Sequence, residues 1–331
     1  MMKKIIVQII RSWDYPDWRR MSPQGSMTWD NVIFTEDHVA KPDYVVVLNQ
    51  PTAPITVNVA PDRIWAIIQE PPTNFHRYLH KGQKAFGRIY TSDPEMIAKG
   101  VPYIASFPVL PWHVDKDFDD LARIDPFVEK TRDLSWITST LAFLPGHKIR
   151  MTLLNRLKNQ SFISFFGRGL NPIEDKWDAL APFRYSIVVE NHHGPYYWSE
   201  KLIDCFLAGA MPIYFGCSNL SDYFPKNSFI QLDPESPNLI KELKSIILSN
   251  RAEEYRADIR EARDRCLYKW QLLPFIYNEI KKDQQIKEKR KKINLHTTKI
   301  KHPVYKVVSI WYWKIKPKLM KILQHTSRHY L

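Results

Sequence analysis

The second half of the chain alternates short apolar runs with longer segments whose apolar residues recur every three or four positions. The first pattern is typical of buried β-strands and the second of amphipathic helices. Strands and helices that alternate in this way build a parallel sheet with helices packed on its faces. We predict helices at 147–158, 239–248 and 252–267, a further helix from its cap Ser199 to near Gly209, and strands at 136–140, 162–166, 185–189, 211–215 and 228–232.

The first part of the chain also carries short apolar runs, but proline-rich joints separate them and make long helices unfavourable there. Strands are predicted at 5–10, 44–48, 64–68, 87–91 and 103–107. A charged stretch at 115–133, poor in large apolar clusters, indicates a linker between two lobes. The predicted fold class is therefore α/β, with a first domain and linker at 1–135, a second domain at 136–270, and a closing helix and basic tail at 271–331.

Composition excludes several protein classes. The chain has 331 residues, enough for two domains, and its 44% of hydrophobic residues excludes disorder as a description of the whole chain. It has only ten glycines, and its nearest approach to a dinucleotide-binding loop, Gly167-Arg168-Gly169, has Pro172 in place of the third glycine. Neither a Walker loop nor a GxSxG motif occurs. No CxxC pair is present, which favours a reducing compartment without structural zinc; the three cysteines are Cys205, Cys217 and Cys266.

The net charge of +13 is concentrated at one end of the chain. Residues 281–331 hold 15 basic and two acidic side chains, so the remaining 280 residues are balanced. This distribution argues against a nucleic-acid-binding body, whose basic residues would spread over a folded face. Within 304–323, aromatic and aliphatic residues interleave with lysines, as in segments that lie at a membrane surface. A nucleic-acid interpretation shares the charge pattern; we favour an anionic membrane surface and expect no nucleic acid partner.

Targeting signals are scarce at the other end. The apolar run at 5–10 is too short for a signal peptide and is better read as a first strand. Nothing approaches the roughly 20 apolar residues of a transmembrane helix. We therefore expect a cytoplasmic protein associated peripherally with the inner face of the membrane through residues 281–331.

The densest functional pattern lies at 184–201, where an apolar strand leads into Glu190 and Asn191 and a helix then opens with Glu200 and Lys201. Ligands of open α/β sheets bind beyond the carboxyl ends of the strands. A lysine in the first turn opposes the helix dipole, but a bound diphosphate would reverse this argument. Glu200 could then accept hydrogen bonds from a ribose diol. The alternative is an ordinary first-turn acid beside a solvated lysine.

These residues resemble a known family. Tyr197-x-Ser199-Glu200-Lys201 is preceded by Val189-Glu190-Asn191 and followed by the residues at 207–216 and by Phe224-Pro225-x-x-Ser228-Phe229-Ile230. The pattern resembles the donor-site signature of the bacterial type of α1,3/α1,4-fucosyltransferases, glycosyltransferase family 10, over about 136–233. Two positions depart from it: Ser199 stands where the family usually has threonine, and Trp198 where it has a small aliphatic residue.

The resemblance implies a GT-B fold, in which two Rossmann-like doubly wound domains face one another across a cleft. The first domain would serve the acceptor and the second would bind the GDP-sugar donor. It also implies a GDP-fucose substrate, inversion at the anomeric carbon, no metal site and no obligate cofactor, a divalent ion at most stimulating the reaction. The DxD sequence Asp117-Phe118-Asp119 lies in the charged linker and is read as solvated surface.

The same resemblance implies roles for individual residues. Arg150 and Lys201 would neutralise the diphosphate, and Glu70, in a partly apolar setting that would raise its pKa, would be the general base. The donor would be oriented by the remaining predicted site residues, Glu190, Asn191, Tyr197 and Glu200, the last on the ribose.

The predicted function is transfer of L-fucose from GDP-β-L-fucose to O3 or O4 of GlcNAc or Glc in a surface glycan, such as a lipopolysaccharide O-antigen, presented as an oligosaccharide or a lipid-linked acceptor. One alternative keeps the reaction but uses another GDP-sugar, because Trp198 lies within the signature. The other is a non-catalytic glycan- or RNA-binding protein that uses the basic tail.

Overall fold

The computed structural model describes residues 3–13, 16–74, 76–80, 83–128, 130–140, 147–283 and 289–297. The span from Met1 to Thr297 forms one compact unit. Two separate parallel sheets and a short two-stranded antiparallel sheet organise this unit.

The first sheet has the strand order β2-β3-β1-β4-β6-β7-β8, and every neighbouring pair except β2 and β3 is parallel. Its central strand β4 is buried along its whole length, because both faces of the sheet are covered. Its strands are β1 Ile5–Ile10, β2 Thr28–Trp29, β3 Val32–Thr35, β4 Tyr44–Leu48, β6 Ile64–Ile67, β7 Arg88–Thr91 and β8 Tyr103–Ala105.

The second sheet has the order β10-β9-β11-β12-β13 and is parallel throughout. The first strand of this sheet to occur in the chain is β9, and it lies between β10 and β11. The next strand, β10, is added on one side of β9 and the later strands on the other side, so the direction of strand addition reverses between β9 and β11. A crevice forms at the carboxyl ends of the strands at such a reversal. The strands are β9 Arg132–Ile137, β10 Ile163–Phe166, β11 Phe183–Gly194, β12 Met211–Cys217 and β13 Ile230–Gln231.

The α-helices of the described part of the chain lie mainly in its second half. Helix α4 packs its buried residues against β11, β12 and α7, and a single π-helical turn, Cys266–Trp270, follows α7. The α-helices are α1 Pro94–Ile97, α2 Phe118–Arg123, α3 His147–Leu157, α4 Glu200–Leu207, α5 Leu239–Leu248, α6 Arg251–Glu254, α7 Arg256–Arg265 and α8 Leu272–Lys282.

Helix α8 returns the chain to the first sheet. Phe275 packs edge-on against Tyr90 with ring centroids 5.4 Å apart, and the Tyr90 hydroxyl donates to Glu279. At the end of the helix, the Asp283 carboxylate accepts a hydrogen bond from the Tyr44 hydroxyl and pairs with Arg88. These contacts tie a segment distant in sequence to strands β4 and β7.

The sequence-based prediction of parallel α/β architecture is confirmed, and the predicted strand at 44–48 and helix at 239–248 match β4 and α5. Four short strands were not predicted: β2, β3, β5 Ile55–Val59 and β14 Lys291–Leu295. The stretch at 115–133 is not a plain solvated linker, because it contains α2, whose Phe118 and Leu121 are buried.

The expected basic tail also needs correction at its start. Residues 281 and 282 complete α8, and β14 Lys291–Leu295 pairs antiparallel with β5, Leu295 opposite Ile55. The part of the predicted tail that the structure describes, up to residue 297, therefore belongs to the folded unit. The rest of the predicted tail, 298–331, lies outside the described residues, as do 284–288.

No helix among the described residues combines the length and apolar character that crossing a bilayer requires.

Candidate active site

A cavity of about 200 Å³ lies at the point where the second sheet reverses direction. Its walls include the carboxyl end of β9, the residues of β11 up to Val189, and the first turn of α4. Three cationic side chains line it: Arg150 from α3, Lys201 from α4, and Lys176. The structure thus brings together Arg150 and Lys201, which are far apart in sequence, in the crevice that the strand order creates.

Glu190 fixes the N-terminus of α4. It lies where the pairing of β11 with β12 becomes irregular, and its side chain is fully buried. One carboxylate oxygen accepts the Ser199 N–H at 2.8 Å, and the other accepts the Ser199 hydroxyl at 2.5 Å. Burial raises the pKa of Glu190, although Lys201 opposes this shift. Both oxygens are engaged with Ser199, so Glu190 supports the helix start. Its role in orienting the nucleoside and sugar stays a prediction.

Lys201 is held among three oxygen atoms. Its Nζ lies 3.1 Å from the Ser199 Oγ, 3.2 Å from a Glu200 oxygen and 3.6 Å from a Glu190 oxygen. Burial acts to lower the pKa of Lys201, but the two carboxylates outweigh it and raise the pKa. The lysine therefore carries its charge at the helix N-terminus, where the dipole alone would disfavour it.

Glu200 lines the cavity as an ionised carboxylate. Burial acts to raise its pKa, but Lys201, Lys176 and His113 outweigh this and hold the pKa well below its usual range. Lys176 in turn bonds the buried Asp204 at 2.7 Å, and the backbone N–H of His113 donates to the same carboxylate at 2.7 Å. Sequence reasoning missed Lys176, because it stands in a polar stretch and becomes a site residue only through its pairing with α4.

Arg150 is buried within α3, and its burial lowers its pKa. Its charge acts on Lys201 across the cavity and opposes protonation of that lysine. Two cations at close range repel each other, so an anion placed between them would be stabilised by both.

Two buried oxygen atoms at the site accept no hydrogen bond from the described residues. They are Oδ1 of Asn191, on the irregular end of β11, and Oγ1 of Thr138, at the end of β9. A buried polar atom without a partner is costly, and a ligand hydroxyl or N–H is one way to satisfy it. Asn191 was predicted, whereas Thr138 carried no local signal.

Tyr197 lies between the end of β11 and Ser199, the N-cap of α4. Its ring is buried and meets His192 edge-on at 5.7 Å. Burial raises the pKa of Tyr197, and the carboxylates of Glu190, Glu200 and Glu70 add to this effect. Tyr197 is therefore within electrostatic reach of acids from both sheets.

Trp198 does not line the cavity. Its indole stacks on Phe107 from the first lobe, with ring centroids 4.1 Å apart, and meets Tyr223 and Phe224 edge-on. The departure from the family pattern at this position is therefore a packing feature between the lobes. It gives no support to the alternative in which Trp198 changes the donor sugar.

Glu70 follows β6 at the carboxyl edge of the first sheet. Its side chain is 44% exposed, and Oε2 lies 3.3 Å from Nε2 of His76. The surroundings of this carboxylate are more open than the partly apolar setting that had been expected. His76 was not singled out from the sequence, because nothing in the local pattern points to it.

The acids of the DxD sequence serve the local fold. Asp117 caps α2 by accepting the N–H of Asp120 at 2.8 Å, and Asp119 accepts the N–H of Gln24 at 2.7 Å. Across the described ranges, no three His, Cys, Asp or Glu side chains cluster as a metal site would require.

Comparison with solved structures gives matches with TM-scores below 0.5. A crystal structure of an alpha1,3-fucosyltransferase matches at a TM-score of 0.43 and 15% identity, covering 94% of this chain and 89% of that one. A glycosyltransferase from Rickettsia africae ESF-5 matches at a TM-score of 0.47 and 9% identity, covering 85% of this chain and 98% of that one.

Sequence comparison finds a family match over part of the chain. The model described as "Glycosyltransferase family 10 (fucosyltransferase) C-term" matches residues 127–258, a span that contains the second sheet and the cations of the cavity. The human 4-galactosyl-N-acetylglucosaminide 3-alpha-L-fucosyltransferase 9 is 30% identical over 38% of this chain and 38% of its own length. An alpha-(1,4)-fucosyltransferase of Arabidopsis thaliana is 30% identical over 28% of this chain and 25% of its own length. The chain is thus similar to glycosyltransferase family 10 over that domain, and it spans well under half the length of these curated relatives.

The position of Glu190 depends on Gly216 in the neighbouring strand. A Cβ added at Gly216 would lie 2.4 Å from Cγ of Glu190 and 2.6 Å from the Tyr214 hydroxyl. We predict that Gly216→Ala displaces Glu190, loosens the start of α4 and weakens GDP binding at least about tenfold, measured by calorimetric titration. Gly100→Ala is the control for backbone strain alone, because its φ of +70° disfavours alanine while nothing lies within 4 Å of a Cβ there. Equal GDP affinity in both variants would show that the Glu190 contacts do not shape the site.

Proposed function

We propose that the chain is an inverting fucosyltransferase, which moves L-fucose from GDP-β-L-fucose to a hydroxyl of a glycan. The observation that carries this proposal is the meeting of Arg150 and Lys201 in one cavity at the sheet reversal, inside the family 10 domain. The fucosyltransferase names of the relatives support the choice of sugar. The acceptor position that we propose is O3 or O4 of GlcNAc or Glc.

On the donor side, the diphosphate lies between the cations. As the bond from C1 of fucose to the diphosphate oxygen breaks, its electron pair stays with GDP, so negative charge grows on the leaving group. Fixed cations placed where this charge develops lower the barrier. Arg150, Lys201 and Lys176 supply positive charge in the cavity wall.

On the acceptor side, Glu70 is the general base. The acceptor oxygen attacks C1 from the face opposite the leaving diphosphate, which inverts that carbon, while its proton passes to a carboxylate oxygen of Glu70. The charge of Glu70 contributes to the raised pKa of Tyr197, which lies just before the start of α4, and this supports a position of Glu70 near the donor site.

Calorimetric titration of GDP tests the donor side. We expect GDP to bind in preference to ADP and UDP, and Arg150→Met to weaken GDP at least about tenfold while guanosine, which has no phosphate, binds as before. Arg156→Met is the matched control, since Arg156 lies on the same helix but donates to the carbonyls of Pro234 and Ser236. Equal losses for GDP and guanosine would contradict a phosphate role for Arg150.

Turnover with GDP-fucose tests the base. We expect Glu70→Gln to lower the transfer rate by about 10²- to 10⁴-fold with GDP affinity unchanged, because the amide cannot accept the proton. Glu95→Gln is the control, because Glu95 pairs with Arg77 at the surface. Turnover of another GDP-sugar but not of GDP-fucose would replace the donor, and absence of any turnover in the unaltered protein would favour a binding protein.

We also propose that the acceptor belongs to a surface glycan such as a lipopolysaccharide O-antigen, and that the enzyme reaches it at the inner face of the membrane. The sequence at 298–331 supports this, since it alternates basic residues with tryptophan, tyrosine and aliphatic residues.

Vesicle sedimentation tests the membrane association. We expect the full chain to sediment with vesicles that contain an anionic lipid and not with neutral ones, and truncation after Thr297 to abolish sedimentation while GDP binding persists. This truncation keeps β14, which pairs with β5. Undiminished sedimentation of the truncated chain would refute the proposed role of residues 298–331.

A further inference from the structure

The backbone that carries Glu70 is fixed by the residue before it. Gln69 is buried, and its backbone N–H donates to Oδ1 of Asn49 at 2.7 Å. Its side chain accepts from the Trp13 indole at 3.0 Å and donates to the Val109 carbonyl at 3.2 Å. Contacts from three separate segments of the first lobe therefore hold this point of the chain, but none of them reaches the Glu70 carboxylate itself.

The carboxylate is held by His76, six residues further along the chain. The imidazole is buried to about nine-tenths, and its Nε2 lies 3.3 Å from Oε2 of Glu70. On the other side of the ring, Nδ1 lies 3.1 Å from the Pro71 carbonyl oxygen and 3.0 Å from the Thr73 hydroxyl. The ring is thus fixed at both nitrogens.

The partners at Nδ1 differ in what they can do. The Pro71 carbonyl can only accept a hydrogen bond, whereas the Thr73 hydroxyl can donate or accept one. On the opposite side of the ring, Nε2 can donate to Oε2 of Glu70. Only Oε2 of Glu70 meets the imidazole, and this leaves Oε1 as the oxygen available to another partner.

Oε1 belongs to a side chain that is 44% exposed, in contrast to the buried imidazole behind it. The charge of the same carboxylate contributes to the raised pKa of Tyr197, which lies just before Ser199, the N-cap of α4. A carboxylate anchored through one oxygen and open at the other has the arrangement that an oriented general base requires.

We propose that His76 is a positioning residue for the base: its imidazole, locked by Pro71 and Thr73, anchors Oε2 of Glu70 so that Oε1 faces the acceptor hydroxyl. The proposal rests on the proposed function of Glu70 and deepens it. His76 forms and breaks no bond to carbon; the acceptor proton passes to Oε1, and the imidazole keeps the carboxylate from rotating away. Misplacement of a reacting group by about 1 Å can cost about a hundredfold in rate.

The same short segment offers a matched control. His80 is buried as deeply as His76, and its Nε2 lies 3.7 Å from Asp93, an acid that is not part of the proposed reaction. Replacing His80 therefore removes a buried histidine beside a carboxylate without touching Glu70.

Steady-state kinetics with GDP-fucose and a glycan acceptor provide the test. We expect His76→Ala to lower kcat between about tenfold and a hundredfold with KM for the donor unchanged, added imidazole to restore part of the rate, and His76→Gln, whose amide can still donate to Oε2, to lose less. His80→Ala should show no rescue by imidazole. Equal kcat in His76→Ala and the unaltered enzyme, or a loss that neither imidazole nor His76→Gln relieves, would overturn the proposal.

A second measurement does not depend on turnover. The ¹⁵N resonance of Nε2 of His76 should shift in Glu70→Gln and stay unchanged in Glu95→Gln. If the unaltered chain transfers no sugar, the proposed function fails while this shift still reports the contact. If the chain transfers sugar but the Nε2 resonance of His76 does not shift in Glu70→Gln, the positioning role alone fails.

Discussion

The buried carboxylate of Glu190 is the contact on which the geometry of the site depends. A charge in the protein interior is tolerated only when it is paired and hydrogen-bonded, and Glu190 meets this condition through Ser199 and Lys201. The same contacts place the first turn of α4 at the end of β11. Gly216 is part of the arrangement, because any larger residue would occupy the space of the Glu190 side chain. One interaction thus fixes the helix N-terminus, the lysine and the cavity wall together.

The topology of the two sheets explains why acids and cations from remote parts of the chain can meet. In each sheet, the first parallel strand lies between the second and the third, so each has a reversal of strand order. The cavity sits at the reversal of the second sheet, and Glu70 leaves the carboxyl edge of the first. Functional residues at carboxyl ends follow from the parallel arrangement itself, since loops at that edge converge while the strands stay rigid.

The sequence predicts best what depends on short-range pattern. Strand β4 and helix α5 were bounded correctly, because their apolar periodicity is strong. The short strand β5 was missed, because it is defined by a distant partner and not by its own residues; it pairs with β14 more than 230 residues away. For the same reason residues 291–295, which look like part of a basic tail, belong to the folded unit.

The same distinction applies to the residues of the site. The family pattern identified Arg150 and Lys201, and both side chains line one cavity in the structure. Lys176, Thr138 and His76 had no such pattern, because each acquires its place through a contact that only the folded chain makes. Glu190 shows the converse: the pattern identified it, but its two hydrogen bonds to Ser199 give it a supporting role.

Trp198 adds a physical link between the two halves of the proposed reaction. It precedes Ser199, which caps α4, yet its ring stacks on Phe107 of the first lobe. A close stack of two large aromatic rings is worth about 0.5–1.5 kcal/mol beyond the area that it buries. The loop that begins the donor helix is therefore part of the core between the lobes. Because Glu70 belongs to the other lobe, this stacked pair helps to fix the distance between the base and the leaving group, which a displacement of the donor loop would otherwise change.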